Sequence, residues 1–142
     1  MEQIKLKSDG FDIELNLRSH TTVLLGDSAT GKSFFYDLMT RVDGRDDIMC
    51  INYETVRPKA NYEAILNAVK NSKHKLIIID QADDIQRKDD SLMYAINTDY
   101  NNNKYIIIGR NPKVLSNISD MAEISIKDNK ITLQYMFPEP LI

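Results

Sequence analysis

The stretch Gly26-Asp27-Ser28-Ala29-Thr30-Gly31-Lys32-Ser33 decides the fold, because it matches the phosphate-loop pattern G-x-x-x-x-G-K-[ST]. Glycine tolerates backbone angles that other residues resist, so such a loop can turn its N–H groups inward around an anion. The apolar run Thr21–Leu25 precedes the stretch, and apolar spacing predicts a helix over residues 32–42 after it. The pattern requires a strand before the loop and a helix after it, and the sequence predicts both.

Each position of this loop has a predicted role around the phosphates of a nucleoside triphosphate. Lys32 can reach the β- and γ-phosphates, and the hydroxyl of Ser33 can ligate Mg²⁺. The start of the helix adds free N–H groups and the positive end of its dipole. We therefore predict MgATP as the ligand. The predicted nucleotide-binding residues are Gly26, Asp27, Ser28, Ala29, Thr30, Gly31, Lys32, Ser33 and Phe34.

A second candidate group follows the apolar strand predicted over Lys75–Ile79. Asp80 ends that strand, where nucleotide-hydrolysing proteins with this loop place a carboxylate beside Mg²⁺. The predicted metal ligands are therefore Ser33 and Asp80. The next residue is Gln81, whose amide cannot accept a proton as a base, although it can orient a water molecule. Hydrolysis is accordingly expected to be slow, dependent on a partner, or absent.

Three further polar residues are candidates for the chemistry. Asp83 and Asp84 follow Gln81, and either could act as the missing base, although their polar stretch favours two solvated loop carboxylates. Arg110 follows the strand predicted over Tyr105–Gly109 and could sense the γ-phosphate through charge-assisted hydrogen bonds, or form a surface ion pair. The candidate catalytic residues are Lys32, Asp80, Gln81, Asp84 and Arg110.

Composition bounds the class of protein. The chain has 142 residues, 42% of them hydrophobic and 27% charged, which fits a single domain over residues 1–142. A formal net charge of −3 disfavours nucleic acid as a partner without excluding it. One cysteine cannot form an internal disulfide. With no signal peptide and no apolar run that could span a membrane, a cytoplasmic location is expected.

The rest of the chain alternates between strand and helix patterns. This alternation predicts an α/β fold of three layers around a mainly parallel sheet, with an antiparallel hairpin at each end of the chain. Ligands of such sheets bind outside the carboxyl ends of the strands. The remaining predicted strands are Ile4–Lys7, Phe11–Leu17, Ile48–Tyr53, Glu123–Ile126 and Ile131–Tyr135, and the remaining helices are Ala60–Asn71, Ser91–Asn97 and a short one after Pro112.

With these motifs in view, the chain resembles the additional-strand class of P-loop NTPases, which includes the ABC, RecA-like and AAA groups. Gly26–Ser33 corresponds to the Walker A loop of that class, and Ile77–Asp80 to its Walker B strand. The resemblance implies that the sensor strand, Tyr105–Ile108, lies between the phosphate-loop strand and the acidic strand. The opening hairpin is similar to that of ABC ATPase domains, in which an aromatic residue stacks on adenine. Phe11 could stack in this way, or it could be part of the hairpin core.

The chain departs from that class in three respects. No Leu-Ser-Gly-Gly-Gln-like signature precedes Lys75, Gln81 stands where hydrolytic members often carry glutamate, and the chain has no helical lid or coiled-coil insertion. The resemblance therefore implies a minimal, slow or partner-regulated ATPase that works with a protein partner or as a homo-oligomer. A non-hydrolysing nucleotide-binding module or scaffold is the first alternative, and a small-molecule kinase is the second.

Overall fold

The computed structural model describes residues 2–26, 31–42, 44–110 and 119–141, which form eight strands and five helices. The strands are β1 (Glu2–Ser8), β2 (Phe11–Leu17), β3 (Thr21–Leu24), β4 (Ile48–Ile51), β5 (Leu76–Ile79), β6 (Lys104–Ile108), β7 (Asp120–Lys127) and β8 (Lys130–Tyr135). The helices are α1 (Lys32–Thr40), α2 (Tyr53–Val56), α3 (Lys59–Lys70), α4 (Ala82–Lys88) and α5 (Ser91–Asn97). Among these residues, no helix has the length and apolar character needed to cross a bilayer.

All eight strands belong to one mixed sheet, in the order β1-β2-β8-β7-β3-β6-β5-β4. The neighbours from β7 to β4 in this order pair in parallel. Strands β1 and β2 form one antiparallel hairpin, β7 and β8 form another, and parallel pairing of β2 with β8 joins the two. The prediction of an α/β fold with a mostly parallel sheet and a hairpin at each end is confirmed.

The strand order places β6 between β3 and β5, as the resemblance implies. Because these three strands are parallel, their carboxyl ends lie at the same edge of the sheet. The residues that follow the strands therefore lie close together, and they include Gly26 after β3, Asp80 after β5 and Arg110 after β6. This edge is where the fold can assemble a site from segments distant in sequence.

Two apolar clusters cover the sheet, because successive side chains of a strand point to opposite faces. On one face, α1 packs Phe35, Leu38 and Met39 into a cluster that includes Leu24 and the hairpin β1–β2. The other face carries α3, α4 and α5, whose buried side chains pack against residues such as Val23. Strands β3, β5 and β6 are therefore buried on both faces, which explains their continuous apolar sequences.

The first difference from prediction lies after β4. The predicted strand continued to Tyr53, whereas β4 ends at Ile51. The side chain of Asn52 accepts a hydrogen bond from the N–H of Thr55 at 2.9 Å, and this cap begins the short helix α2. An asparagine in this position competes with strand geometry by satisfying an N–H group of the helix.

The second group of differences lies in the second half of the chain. Helix α4 is absent from the predicted elements, since its sequence ADDIQRK contains few apolar residues. Strand β7 begins at Asp120, three residues before the predicted start at Glu123. The helix predicted after Pro112 lies outside the described residues.

Burial of Asp120 explains the early start of β7. Its side chain is fully buried, and both carboxylate oxygens accept hydrogen bonds from Arg18, at 2.6 and 3.0 Å. The same guanidinium donates to the main-chain carbonyls of Phe137 and Pro138 and lies over the ring of Tyr135. An ion pair between segments so far apart in sequence therefore anchors the segment that follows β8.

Candidate functional site

A cleft of about 350 Å³ lies at the carboxyl ends of β3, β5 and β6, and we call it the strand-end cleft. It brings together residues that are far apart in the chain, as expected for ligand sites of open α/β sheets. Its lining residues are Gly26, Lys32, Ser33, Asp80, Gln81, Asp83, Ile108, Gly109 and Arg110. Four of the five candidate catalytic residues and both candidate metal ligands are therefore in one cleft.

Lys32 is the first residue of α1, and its ammonium group turns back towards Gly26. Its Nζ donates a hydrogen bond to the main-chain carbonyl of Gly26 at 2.5 Å. Among the described residues, no side chain caps the N-terminus of α1, and its first turn contains no acidic residue. The helix therefore offers both free N–H groups and a cation to an anionic ligand.

Gly31 lies close to β7. Its φ angle is +87°, in the left-handed region that favours glycine. A Cβ atom at this position would lie 3.0 Å from Cδ1 of Ile126. The second glycine of the phosphate-loop pattern is therefore favoured by its backbone angle, whereas a Cβ would ask only a small shift of the exposed Ile126 side chain.

Asp80 follows β5 and is half-buried. Burial raises the pKa of this carboxyl above its ordinary value, and nearby Asp37 and Asp83 raise it further. The hydrogen bond from the N–H of Gln81 and the ammonium of Lys32 act in the opposite direction. A carboxylate that is partly removed from water and near other carboxylates gains stability from a cation beside it. The electrostatics of Asp80 thus suit a residue that contacts a metal ion.

Gln81 has a strained backbone. Its φ and ψ angles are 54° and 41°, so a non-glycine residue adopts the left-handed conformation just before α4. This conformation costs free energy, and such strain clusters at functional sites because the surrounding structure must enforce it. It directs the N–H of Gln81 towards the carboxylate of Asp80.

Asp83 is a site residue that sequence reasoning misplaced. The prediction of a solvated loop carboxylate is wrong for this residue, because it lies in the first turn of α4 with its side chain 1% exposed. Its Oδ2 accepts a hydrogen bond from the N–H of Arg110 at 3.3 Å, whereas its Oδ1 has no hydrogen-bond partner among the described residues. Ala82 and Ile85, spaced as on one helix face, are the sequence signal that could have placed α4.

Asp84 is not among the residues that line the strand-end cleft. It lines a neighbouring cleft, which shares Gln81 with the strand-end cleft, and it pairs with Arg87, with 3.2 Å between its Oδ1 and Nη1 of the arginine. Arg110 is exposed and is one of the residues that line the strand-end cleft, where its main-chain N–H contacts Asp83. The structure therefore groups Arg110, but not Asp84, with the phosphate-loop residues.

The two candidate aromatic residues contact each other. The rings of Phe11 and Phe34 meet edge to face, with 5.1 Å between their centroids. Phe34 is 37% exposed and directly follows Ser33 in α1, whereas Phe11 is half-buried. Phe11 therefore packs against Phe34 at the start of α1, a position that is compatible with both roles predicted for it.

The donor set fits Mg²⁺ better than a metal held by the protein alone. Among residues 2–26, 31–42, 44–110 and 119–141, no group of three or more histidine, cysteine or acidic side chains could hold a metal ion. Mg²⁺ is commonly held by one or two protein oxygens together with phosphates and water, which Ser33 and Asp80 could supply. The predicted binding residues Asp27, Ser28, Ala29 and Thr30 lie outside the described residues.

Comparisons with known proteins give no family assignment. No model of a protein family matches the chain, and no curated protein matches it. The chemistry of the strand-end cleft is therefore the basis on which a function can be argued.

Proposed function

We propose that this chain is a P-loop protein that binds MgATP in the strand-end cleft and hydrolyses it slowly or under the control of a partner. The observation that carries the proposal is the convergence of Lys32, Ser33 and Asp80 beside the uncapped start of α1. The position of β6 between β3 and β5, with helices on both faces of the sheet, supports the additional-strand class of this fold.

Each residue in the cleft has a distinct part in this proposal. The Lys32 ammonium would leave the carbonyl of Gly26 to contact phosphate oxygens, which are stronger acceptors because they are charged. Ser33 and Asp80 would hold Mg²⁺, which neutralises phosphate charge when it is bound. The N–H of Gln81 keeps the Asp80 carboxylate oriented, at 2.9 Å from Oδ1.

Adenine is favoured over guanine as the base. The sequence contains no Asn-Lys-x-Asp motif, the pattern by which many GTPases read guanine. Phe34, which directly follows Ser33, has a partly exposed ring, and the ring of Phe11 in the opening hairpin contacts it edge to face. Stacking on an aromatic ring would hold the base without demanding a hydrogen-bonding code.

Titration calorimetry with ATP and ADP in the presence of Mg²⁺ tests this proposal. In Lys32→Ala we expect affinity for ATP to fall roughly 10- to 100-fold, because charge-assisted hydrogen bonds to the phosphates are lost. Lys73→Ala is the matched control, since Lys73 is exposed before the amino end of β5, away from the cleft. Failure of the unaltered protein to bind ATP, or equal affinity in Lys32→Ala, would refute the proposal.

A non-hydrolysing nucleotide-binding module is the second candidate, and the identity of Gln81 favours it. The amide that follows Asp80 cannot act as a base. A steady-state phosphate-release assay separates the two functions: ATP binding with no release above background supports the module, and ADP formation without an added acceptor supports the ATPase.

A kinase is less consistent with the structure. Small-molecule kinases use mobile arginines to shield the phosphoryl group in transfer. Between β5 and β6 the basic residues are Arg87 and Lys88. Arg87 pairs with Asp84, and Lys88 donates to the main-chain carbonyl of Arg57, so both cations are already engaged. Turnover that requires an added acceptor would support the kinase instead.

A further inference from the structure

The buried carboxylate of Asp83 extends the proposed function and rests on it. We propose that Asp83 accepts the proton of the water that attacks the γ-phosphate, and so supplies the base that the residue after Asp80 does not. Asp83 lines the same cleft as Lys32 and Asp80. It would then be a catalytic residue, because its carboxylate contacts the attacking water.

The hydrogen bonding of Asp83 points to a ligand. Its side chain is 1% exposed, and its Oδ2 accepts the N–H of Arg110 and lies 3.8 Å from Nη2 of Arg87. Its Oδ1 is buried without a partner among the described residues. Buried carboxylate oxygens are normally satisfied, so an unpaired one that lines a polar cleft calls for a donor supplied from the cleft. A water molecule is the smallest donor that would satisfy it.

The other polar groups of the site are less suited to this role. The amide of Gln81 has no basic site, and Asp80 is assigned to the metal ion. Asp84 pairs with Arg87 in a different cleft. Asp83 is the remaining carboxylate that lines the strand-end cleft.

In the proposed step, the γ-phosphoryl group is transferred to water. The water oxygen forms a bond to the γ-phosphorus while one of its protons passes to Oδ1 of Asp83. The bond between the γ-phosphorus and the β,γ-bridging oxygen breaks, and its electron pair stays on that oxygen of ADP. Inorganic phosphate and ADP leave, and Asp83 returns its proton to solvent or phosphate. No oxidant, reductant or further co-reactant is required.

The test compares Asp83→Asn with the unaltered protein in nucleotide affinity and in phosphate release. Asparagine keeps an oxygen that can accept the N–H of Arg110, so a purely structural role would leave both measurements nearly unchanged. We expect kcat to fall by about 100-fold or more, in line with the usual contribution of a general base. The ratio of ATP to ADP affinity should rise severalfold, because a negative charge facing the γ-phosphate is removed.

Two further variants provide a control and a rescue experiment. Asp46→Asn is the matched control, because Asp46 is exposed before the amino end of β4, away from the cleft, and its kcat should be unchanged. Asp83→Ala, which also loses the contact with Arg110, should regain part of its phosphate release when formate is added as an external base. Thermal melting of each variant verifies that it is folded.

The outcomes separate this inference from the proposed function. Failure of the unaltered protein to bind ATP refutes the proposed function and the inference with it. ATP binding with normal release in folded Asp83→Asn refutes only the role of Asp83. Binding without any release in the unaltered protein also refutes that role and leaves a non-hydrolysing module.

Discussion

The main-chain N–H of Gln81 donates a hydrogen bond of 2.9 Å to Oδ1 of Asp80, and it does so from a left-handed backbone conformation. The bond fixes the carboxylate at the end of β5, and the strain lies in the adjacent residue. The orientation of Asp80 and the backbone strain of Gln81 thus meet in one hydrogen bond. Substitution of Asp80 tests the carboxylate, and substitution of Gln81 tests the strain.

The first prediction concerns Asp80→Asn. The pKa of Asp80 is raised in the folded protein, so the folded state binds a proton more tightly than the unfolded state does. The free energy of unfolding therefore falls as the pH rises from about 4, the ordinary pKa, through the pKa of the folded state. Asparagine mimics the neutral form and can still accept the N–H of Gln81. We expect Tm of the nucleotide-free protein at pH 7 to rise by roughly 1–4 °C.

Differential scanning calorimetry at pH 7 and pH 4 measures this effect. The gain in Tm should shrink at the lower pH, because a carboxyl with a raised pKa takes up its proton in the folded protein before the same group does in the unfolded chain. A lower Tm for Asp80→Asn at pH 7 would contradict the prediction. The same variant should lose the Mg²⁺ dependence of ATP binding if Asp80 contacts the metal.

The second prediction concerns Gln81→Gly. Glycine adopts the left-handed conformation without steric cost, and this gain exceeds the extra entropy that glycine loses on folding. We expect the free energy of unfolding, measured with urea, to be unchanged or to rise by up to about 1 kcal/mol. Glu63→Gly, at an exposed position inside α3, should instead lower it by about 1 kcal/mol. Equal destabilisation of both variants would show that Gln81 is not strained.

The third prediction concerns Arg18→Ala. This change leaves the fully buried Asp120 without its cation and releases the carbonyls of Phe137 and Pro138. A buried carboxylate that loses its cation destabilises the fold, so the free energy of unfolding should fall by clearly more than it does when a surface pair is broken. Arg45→Ala is the control, because Arg45 pairs with Asp47 at the surface and its loss should cost about 1 kcal/mol or less. Urea midpoints that fall equally in the two variants would contradict the prediction.

The fourth prediction concerns Cys50. Burial raises the pKa of its thiol from 9 to about 11, so at pH 8 its thiolate fraction is about 100-fold lower than in the unfolded chain. Labelling with a thiol-reactive disulfide should be slower by a similar factor in the native protein than in urea. The folded thiol holds its proton more tightly, so this group's contribution to stability is lost as pH rises from about 9 to about 11. Equal labelling rates in the native and unfolded states would contradict this.

Sequence patterns predicted the central strands well. Strands β3, β5 and β6 are short apolar runs, and their burial on both faces is what such runs indicate. The positions of Lys32, Ser33 and Asp80 in one cleft follow from those strands, because the parallel order fixes where their carboxyl ends meet.

The rest depends on contacts between distant segments, which local patterns do not encode. Asp83 has the sequence context of a surface residue, and only the packing of α4 beneath the end of β6 makes it buried. Asp120 can begin β7 because it forms an ion pair with Arg18, which lies 102 positions earlier in the sequence. The pairing of β2 with β8 likewise has no local signal in either strand.

The strand order also governs when the protein can fold during its synthesis. The first three strands leave the ribosome early. However, both neighbours of β3, which are β6 and β7, come from the second half of the chain, and β2 cannot pair with β8 until β8 has been made. Until those strands emerge, the apolar β3 has neither flank covered, and topologies with such distant pairings fold slowly. We therefore expect the nascent chain to gain the nucleotide affinity that we propose in one late step, after β8 has been made.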